Sequence, residues 1–261
     1  MPGAALRTPH WALRTIINVM SRDFVDVRVA TYNIHRARGL DRRTRPDRIA
    51  RVLAATEADV IALQEVIGPG LTGPGHAEVI GAALGMGWIM APTKELRRHQ
   101  FGNVILSRFP ILDHAHYDLS WKTSEPRNSH RATIELGDGH HLQFYNVHFG
   151  TALLERRYQA PRLAAWVHDR RTPGPKIVVG DFNEWGRGFV SDLLAARLSS
   201  VDLYPFLKRR RTYPGFLPIL HLDHIYFAGD VEVRHVHLPR TRLSLVASDH
   251  LPLVADIRVR C

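Results

Sequence analysis

Polar side chains of the kinds that handle phosphate groups and metal ions follow hydrophobic runs at several separate points of the chain. An isolated segment of this kind is typical of a turn or a helix cap. Their repetition after successive β-rich runs is more informative, because α/β folds place functional groups on the loops at strand ends. The segments are Tyr32-Asn33-Ile34-His35, Gln64-Glu65, Gly102-Asn103, Asn146-Val147-His148, Gly180-Asp181-Phe182-Asn183, Asp223-His224 and Asp249-His250.

These residue types suit the hydrolysis of a phosphate ester. That reaction needs a hard cation at the phosphoryl oxygens, a base for the attacking water, and donors for the charge that develops. Mg²⁺ prefers oxygen ligands and usually takes one or two carboxylates, so Glu65 is the first candidate ligand, followed by Asn33 and Asp249. Mn²⁺ is the alternative cation. His250 is the candidate general base, because the ordinary pKa of histidine lies near neutrality.

The elements that position these groups alternate between strand and helix. The pattern predicts strands over 27–34, 59–63, 102–107, 131–136, 142–148, 176–179, 222–227, 231–237 and 253–259. It predicts helices over 46–57, 76–84, 153–167 and 189–196, with Pro161 kinking the third helix or marking its true start. One α/β domain with two sheets, residues 28–261, follows from this alternation. Residues 1–27 form an N-terminal extension, either poorly ordered or a basic amphipathic leader that touches a membrane.

In this order and spacing, the motifs resemble those of the endonuclease/exonuclease/phosphatase (DNase I-like) superfamily, in particular its small bacterial members. The likeness spans roughly residues 28 to 259. It implies a four-layer α/β sandwich in which two packed mixed β-sheets are flanked by helices. It also implies a phosphoesterase that depends on a divalent metal. The motifs that carry it are Gly180-Asp181-Phe182-Asn183, Ser248-Asp249-His250-Leu251-Pro252, Leu63-Gln64-Glu65, Gly102-Asn103-Val104-Ile105-Leu106-Ser107-Arg108 and Arg211-Thr212-Tyr213-Pro214.

The resemblance assigns further roles in the site. It implies that Asp223 orients His250, that Asp181 aligns the attacking water, and that Asn183 donates to a phosphoryl oxygen. His148, with Asn146 beside it, would donate to a phosphoryl oxygen or assist the leaving group. Three residues are candidates for substrate binding: Asn103; Arg127, for which a surface salt bridge is the alternative; and Trp185, which either stacks on the substrate or caps the sheet.

Composition limits the partners and the compartment. The formal net charge of +10 favours an anionic phosphate-ester partner, nucleic acid or lipid headgroup, although arginine enrichment from a GC-rich genome would produce the same charge. The single cysteine, Cys261, excludes a disulfide within the chain and favours the cytoplasm. Peripheral contact with an anionic membrane surface is the alternative location. No stretch has the roughly 18 apolar residues of a transmembrane segment, and no feature indicates an obligate protein partner.

Three functions remain open at this point. The first is a nuclease-like phosphodiesterase that uses in-line attack of a histidine-activated water. The second is a phosphoesterase of phospholipids, phosphoinositides or sphingomyelin. The basic run 208–211 suits either a nucleic-acid backbone or acidic headgroups, or is a solvated loop. The third is a catalytically silent module that binds anions.

Overall fold

The computed structural model describes residues 24–71, 73–186, 188–200, 206–207 and 210–260. The longer helices are α1 (Pro46–Ala54), α2 (His76–Leu84), α3 (Leu153–Val167) and α4 (Phe189–Ala195), and a short α5 (Ser244–Ala247) precedes the last strand. The strands are β1 (Phe24–Asn33), β2 (Val60–Gly70), β3 (Gly87–Leu96), β4 (His99–Ser107), β5 (Ile111–Asp118), β6 (Asn128–Gly137), β7 (His140–His148), β8 (Lys176–Asp181), β9 (Ser199–Ser200), β10 (Asp223–Ala228), β11 (Val231–His237) and β12 (Leu253–Arg260).

The strands form two mixed sheets of six strands each, in the orders β11-β12-β1-β2-β4-β3 and β5-β6-β7-β8-β10-β9. Alternation along the central strands explains how the layers stack. In β1, Val29 packs into the core between the sheets, whereas Ala30 faces the cluster that includes α1 and α2. In β8, Val179 lies between the sheets and Val178 faces the cluster that includes α3 and α4. The predicted four-layer sandwich is confirmed.

Several local predictions need correction. Strand β1 begins at Phe24 and pairs with β12 from that residue, so residues 24–27 belong to the sheet and not to the N-terminal extension. Residues 1–23 lie outside the described residues. Helix α3 continues through Pro161, where the buried Ala160, Leu163 and Ala164 hold it against the second sheet.

Strands β3 and β5, each at the outer end of its sheet, were missed by the sequence pattern, as was the two-residue β9. Strand β5 is half exposed, and its polar residues Asp113, His114 and His116 obscure its alternation. Strand β3 contains Pro92, which weakens a strand signal.

Many of the strands end or begin at the same edge of the sandwich. Strands β1 and β2 are parallel neighbours, as are β7 and β8, so these four end together. Strands β4, β6, β10 and β12 run antiparallel to them and begin at the same edge. We call this the carboxyl edge. The polar residues at the ends of β1, β7 and β8 therefore meet there, together with Gln64 and Glu65. These two lie within β2, where its register with β4 shifts between Leu63 and Val66, because β2 continues to Gly70 and does not end at residue 63 as predicted.

Phe144 is fully buried in the core between the sheets, so its truncation should destabilise the fold strongly. We expect Phe144→Ala to lower the free energy of unfolding by about 3–5 kcal/mol, because the lost contacts leave a cavity. Urea denaturation measures this cost. Leu112→Ala, at an exposed position of β5, is the matched control. Equal losses in the two variants would mean that Phe144 does not lie in a close-packed core.

Candidate active site

The carboxylate of Asp181 lies at the centre of the polar groups on the carboxyl edge. Its Oδ2 accepts a hydrogen bond from Nδ2 of Asn33 at 3.0 Å, and its Oδ1 accepts one from the backbone N–H of Asn183 at 2.9 Å. The Nε2 atoms of His250 and His148 lie 3.6 and 3.7 Å from Oδ2. Asn33 belongs to the first sheet and Asp181 to the second, so this contact joins the two sheets.

Asp223 and His250 form a buried pair beside Asp181. Residue Asp223 is the register partner of Asp181, because β10 begins where the antiparallel β8 ends. Its Oδ2 lies 2.9 Å from Nδ1 of His250. A carboxylate at Nδ1 places the proton there, which leaves Nε2 directed toward Asp181 as the atom able to accept a proton.

Burial and charge shift the pKa values of this group in opposite directions. Burial alone would lower the pKa of His250, but the carboxylates of Asp223 and Asp181 outweigh it and raise that pKa to about 10. Burial raises the pKa of Asp181 to about 6, with the charge of His250 opposing the rise. His250 therefore carries a second ring proton, and the carboxylates of Asp223 and Asp181 balance its positive charge.

His148 has the opposite electrostatic setting. Burial, followed by the positive charges of Arg127 and His250, holds the pKa of His148 well below its usual range. Its ring is neutral at physiological pH. A neutral imidazole can donate one N–H bond, so the prediction that His148 donates to a phosphoryl oxygen fits this setting better than proton delivery to a leaving group.

Asn33 and Glu65 bring oxygen ligands next to Asp181. The Nδ2 of Asn33 donates to Oε1 of Glu65 at 3.3 Å as well as to Asp181, so one amide group bridges two carboxylates. Its Oδ1 accepts from the backbone N–H of His35 at 3.0 Å. The Asn33 amide nitrogen, which is positively polarised, thus lies between the carboxylates of Glu65 and Asp181, where a cation would be stabilised.

Asp249 joins this group through His35, a residue to which the sequence analysis gave no role. Nδ1 of His35 lies 3.1 Å from Oδ2 of Asp249. Burial opposes ionisation of Asp249, but the hydrogen bond from His35 and the charge of His250 hold its pKa below the ordinary value. The hydrogen bond to Asp249 in turn raises the pKa of His35. The only sequence signal for His35 was its place two residues after Asn33.

Tyr213 is the second residue without an assigned role. Its ring centroid lies 4.9 Å from that of His250. Burial, then the charges of Asp249, Asp181 and Glu65, raises its pKa. All three carboxylates therefore act on one phenol at the mouth of the site. The motif Arg211-Thr212-Tyr213-Pro214 was its sequence signal.

Left-handed backbone conformations recur at these positions. Glu65 has φ 56°, Asn183 has φ 50°, and His35, Arg36 and Ala37 in succession have φ 44°, 58° and 54°. Non-glycine residues adopt this region at a cost of about 1–3 kcal/mol each. Arg42, Glu57, Arg97, Arg98, Lys122 and Asp138 adopt it outside the central group, so positive φ by itself does not mark the site.

Arg127 and Asn103 lie in a recess next to the central group, lined also by Glu65 and His148. Arg127 is buried and pairs with Glu125 at 3.0 Å. A salt bridge was the alternative to phosphate contact, and Arg127 makes one while it also borders the recess. The Nδ2 of Asn103 donates to Oδ1 of Asn128 at 2.9 Å. Both side chains are thus held in place by protein contacts.

A wider cleft opens on the other side of Glu65. Its volume is about 320 Å³, and it is lined by His35, Arg36, Glu65, Lys94, Leu96, Phe101 and Glu125. Glu65 therefore borders both the recess and this cleft. Trp185, by contrast, is 66% exposed and lies on the loop after β8, at the rim of the site.

The prediction for Asn146 is wrong. Its Nδ2 donates to the backbone oxygens of Leu63 at 2.9 Å and of Val104 at 2.8 Å, and its Oδ1 accepts from Nε2 of Gln64 at 2.8 Å. The side chain is fully buried, and both amide hydrogens are used. Asn146 therefore fastens β7 to the first sheet and has no donor for substrate. Asn183, in contrast, donates one amide hydrogen to the oxygen of Phe149 and, among the described residues, has no partner for the other.

Within the described residues, no group of three or more His, Cys, Asp or Glu side chains has metal-binding geometry. Glu65 and Asn33 instead offer one carboxylate and one amide. Such an oxygen set suits Mg²⁺, which keeps several waters, more than Zn²⁺, which needs four close ligands. No described helix is long and apolar enough to cross a bilayer.

Comparison with known proteins agrees with this fold. The chain is 28% identical to YbhP of Escherichia coli over 245 residues, which cover 89% of this chain and 96% of YbhP. An endonuclease/exonuclease/phosphatase family protein from Bacteroides thetaiotaomicron superimposes with a TM-score of 0.76 at 20% identity, covering 92% of this chain and 97% of that one. The mannosyl-6-phosphatase Bt3783 of the same species superimposes with a TM-score of 0.71 at 19% identity, covering 88% and 99%.

The family model described as Endonuclease/Exonuclease/phosphatase family matches residues 30–250. That range runs from β1 to His250 and includes every residue of the central group. The chain belongs to the endonuclease/exonuclease/phosphatase family.

Proposed function

We propose that the protein is a divalent-metal-dependent phosphoesterase that cleaves a phosphodiester by in-line attack of a water molecule activated by His250. The buried line Asp223–His250–Asp181, with separations of 2.9 and 3.6 Å, is the observation that carries this proposal. It is the arrangement that a general base requires: an oriented imidazole with one nitrogen directed into a polar site.

His250 would take the proton of the water on Nε2, while Asp223 holds the other nitrogen protonated. The imidazolium that results would lie between two carboxylates, and the raised pKa of His250 supports their ability to stabilise it. Asp181 would accept a hydrogen bond from the attacking water and so fix its direction. Asn183 would donate its remaining amide hydrogen to a phosphoryl oxygen, and neutral His148 would donate from its ring.

Glu65, Asn33 and Asp249 would hold Mg²⁺ or Mn²⁺. Glu65 and Asp249 present carboxylate oxygens, and Asn33 would present its Oδ1 once its amide turns over, since Nδ2 now bridges Glu65 and Asp181. When bound, the cation would neutralise the phosphoryl oxygens and offset the carboxylate charge that keeps a proton on His250.

The identity of the ester is the open part of the proposal. A nuclease-like phosphodiesterase would use the basic loops and Trp185 to hold a strand, with Arg127 and Asn103 near the phosphate. A phospholipid, phosphoinositide or sphingomyelin phosphoesterase would place a headgroup in the cleft beside Glu65. The relative Bt3783 is a mannosyl-6-phosphatase, so a sugar phosphomonoester belongs in the same substrate panel. Cytoplasmic location remains part of the proposal.

Metal dependence is the first test. Hydrolysis of bis-p-nitrophenyl phosphate should require Mg²⁺ or Mn²⁺ and stop in EDTA, because the phosphoryl charge then has no counter-ion. Glu65→Gln should weaken Mn²⁺ binding, measured by electron paramagnetic resonance of the free ion, while Glu135→Gln on the outer part of β6 serves as the control. Unchanged turnover in chelator would contradict the metal-dependent mechanism, and a wild-type protein without turnover would favour the anion-binding module.

The general-base role predicts a specific kinetic loss. His250→Ala should lower kcat by at least about 100-fold, the low end for a positioned base, with a smaller change in KM. His141→Ala, on the exposed hairpin between β6 and β7, is the matched control. Thermal unfolding of both variants checks that they fold. A folded His250→Ala enzyme with kcat close to that of the wild type would remove His250 from this role.

A further inference from the structure

Large apolar side chains are exposed around the mouth of the site. Phe216, Leu217 and Ile219 are 58%, 64% and 55% exposed, and all lie in the segment between Tyr213 and β10. Leu153 and Leu154 are exposed at the start of α3, which follows β7. Because β7 ends and β10 begins at the carboxyl edge, both groups lie on the same edge as the catalytic residues. We call these five residues the apolar rim.

The segment that carries Phe216, Leu217 and Ile219 is held firmly. The backbone N–H groups of Ile219 and Leu220 both donate to the oxygen of Tyr213, at 2.7 and 2.8 Å. The N–H of Gly215 donates to the oxygen of Asp249 at 2.6 Å, which ties the segment to the catalytic loop. Its apolar side chains are therefore presented to solvent by an ordered backbone. Exposed clusters of this kind mark interaction surfaces.

The same edge is strongly basic. Segment 34–45 contains one acid, Asp41, which pairs with Arg48. Arg240 donates to the backbone oxygen of Arg211 at 3.1 Å, joining two basic segments beside the apolar rim. Exposed arginines on carboxyl-edge loops and turns are Arg38, Arg42, Arg43, Arg45, Arg97, Arg98, Arg211 and Arg242. The site carboxylates and the exposed acids Asp41, Glu95, Asp118 and Glu125 lie at this edge as well, but the exposed arginines outnumber these exposed acids. A net positive charge therefore faces the same way as the apolar surface.

The opposite edge has less of this combination in the part of the chain that the structure describes: Phe24, at the start of β1, is 38% exposed and lies beside Arg258 and Arg260. Its connections carry acids mixed with bases: Glu57, Asp59, Asp138, Asp169 and Asp230 beside Arg108, Arg170 and Arg171. Leu112, at the start of β5, is an exposed leucine on that side. The asymmetry indicates that the charge of the molecule is directed toward a partner at the site and is not a uniform effect of composition.

We propose that the apolar rim and the surrounding arginines dock the protein on an anionic lipid bilayer, with the mouth of the active site facing the membrane. Aliphatic side chains enter the acyl region, and each buried one adds affinity, while arginines attract acidic headgroups. A single-stranded nucleic acid fits less well, because bases stack on aromatic rings. Phe216 and Trp185 are strongly exposed aromatic residues at this edge, but Leu71, Leu153, Leu154, Leu217 and Ile219 are aliphatic. The proposal concerns attachment and is independent of which ester is cleaved.

Vesicle sedimentation tests this docking without turnover. The full chain should bind vesicles of phosphatidylcholine mixed with phosphatidylserine, and bind phosphatidylcholine alone much more weakly. The triple variant Phe216→Ser, Leu217→Ser, Ile219→Ser should lose at least about ten-fold in partitioning, since one large side chain already accounts for that factor. The double variant Leu153→Ser, Leu154→Ser should also bind vesicles more weakly, independently of the triple variant. The double variant Arg211→Gln, Arg242→Gln should bind phosphatidylserine vesicles with less preference over phosphatidylcholine vesicles.

Leu112→Ser, an exposed leucine on the opposite edge, is the matched control and should bind vesicles like the wild type. Thermal unfolding confirms that each variant folds. Hydrolysis of soluble bis-p-nitrophenyl phosphate, measured without lipid, separates loss of docking from loss of catalysis. Failure of the wild-type protein to sediment with anionic vesicles would overturn the proposal. So would rim variants that bind vesicles normally but lose affinity for single-stranded DNA, which would identify a nucleic-acid surface.

Discussion

The buried carboxylate of Asp181 is the constraint around which the rest of the site is arranged. A carboxylate with almost no solvent must be satisfied by protein groups, because an unpaired buried charge is costly. Asn33 supplies a donor from the first sheet, and the backbone of Asn183 supplies another from the loop after β8. His250 supplies the compensating positive charge. The groups that satisfy Asp181 are also the groups to which we assign roles in the proposed hydrolysis, so in this proposal stability and chemistry depend on the same contacts.

That arrangement works only if the two sheets keep their alignment at the carboxyl edge. Nonpolar packing between the sheets supplies adhesion but little directional information, whereas Asn146 makes directed hydrogen bonds to two strands of the opposite sheet. Gln64, next to Glu65, completes this link by donating to Asn146 and to Thr31. We infer that these buried amides set the distance between Asn33 and Asp181. The buried amides Gln64 and Asn146 therefore lie next to Glu65 and close to His148 in the sequence.

The sequence predicted the layered fold, and it predicted polar motifs that the structure brings together, because both depend on local patterns. Buried strands such as β2 and β8 have continuous apolar runs that end in polar motifs, and each motif marks the carboxyl edge. Edge strands β3 and β5 were missed, since their half-exposed faces lack those runs. Asn146 was misassigned because its partners, Leu63 and Val104, are distant in sequence. His35 and Tyr213 were overlooked because their importance comes from contacts with Asp249 and His250, which only the folded chain brings together.

The protonation state of His250 tests this account most directly. Nitrogen-15 correlation spectra of the histidine side chains distinguish the two neutral tautomers from the imidazolium, and a His250→Gln variant identifies the resonance. At neutral pH without metal, we predict that both ring nitrogens of His250 carry protons, because Asp223 and Asp181 raise its pKa. With Mg²⁺ present, we predict a neutral ring protonated on Nδ1 and bare on Nε2. A ring protonated on Nε2 in the presence of Mg²⁺ would contradict the account, because no atom would then be available to accept the proton of the water.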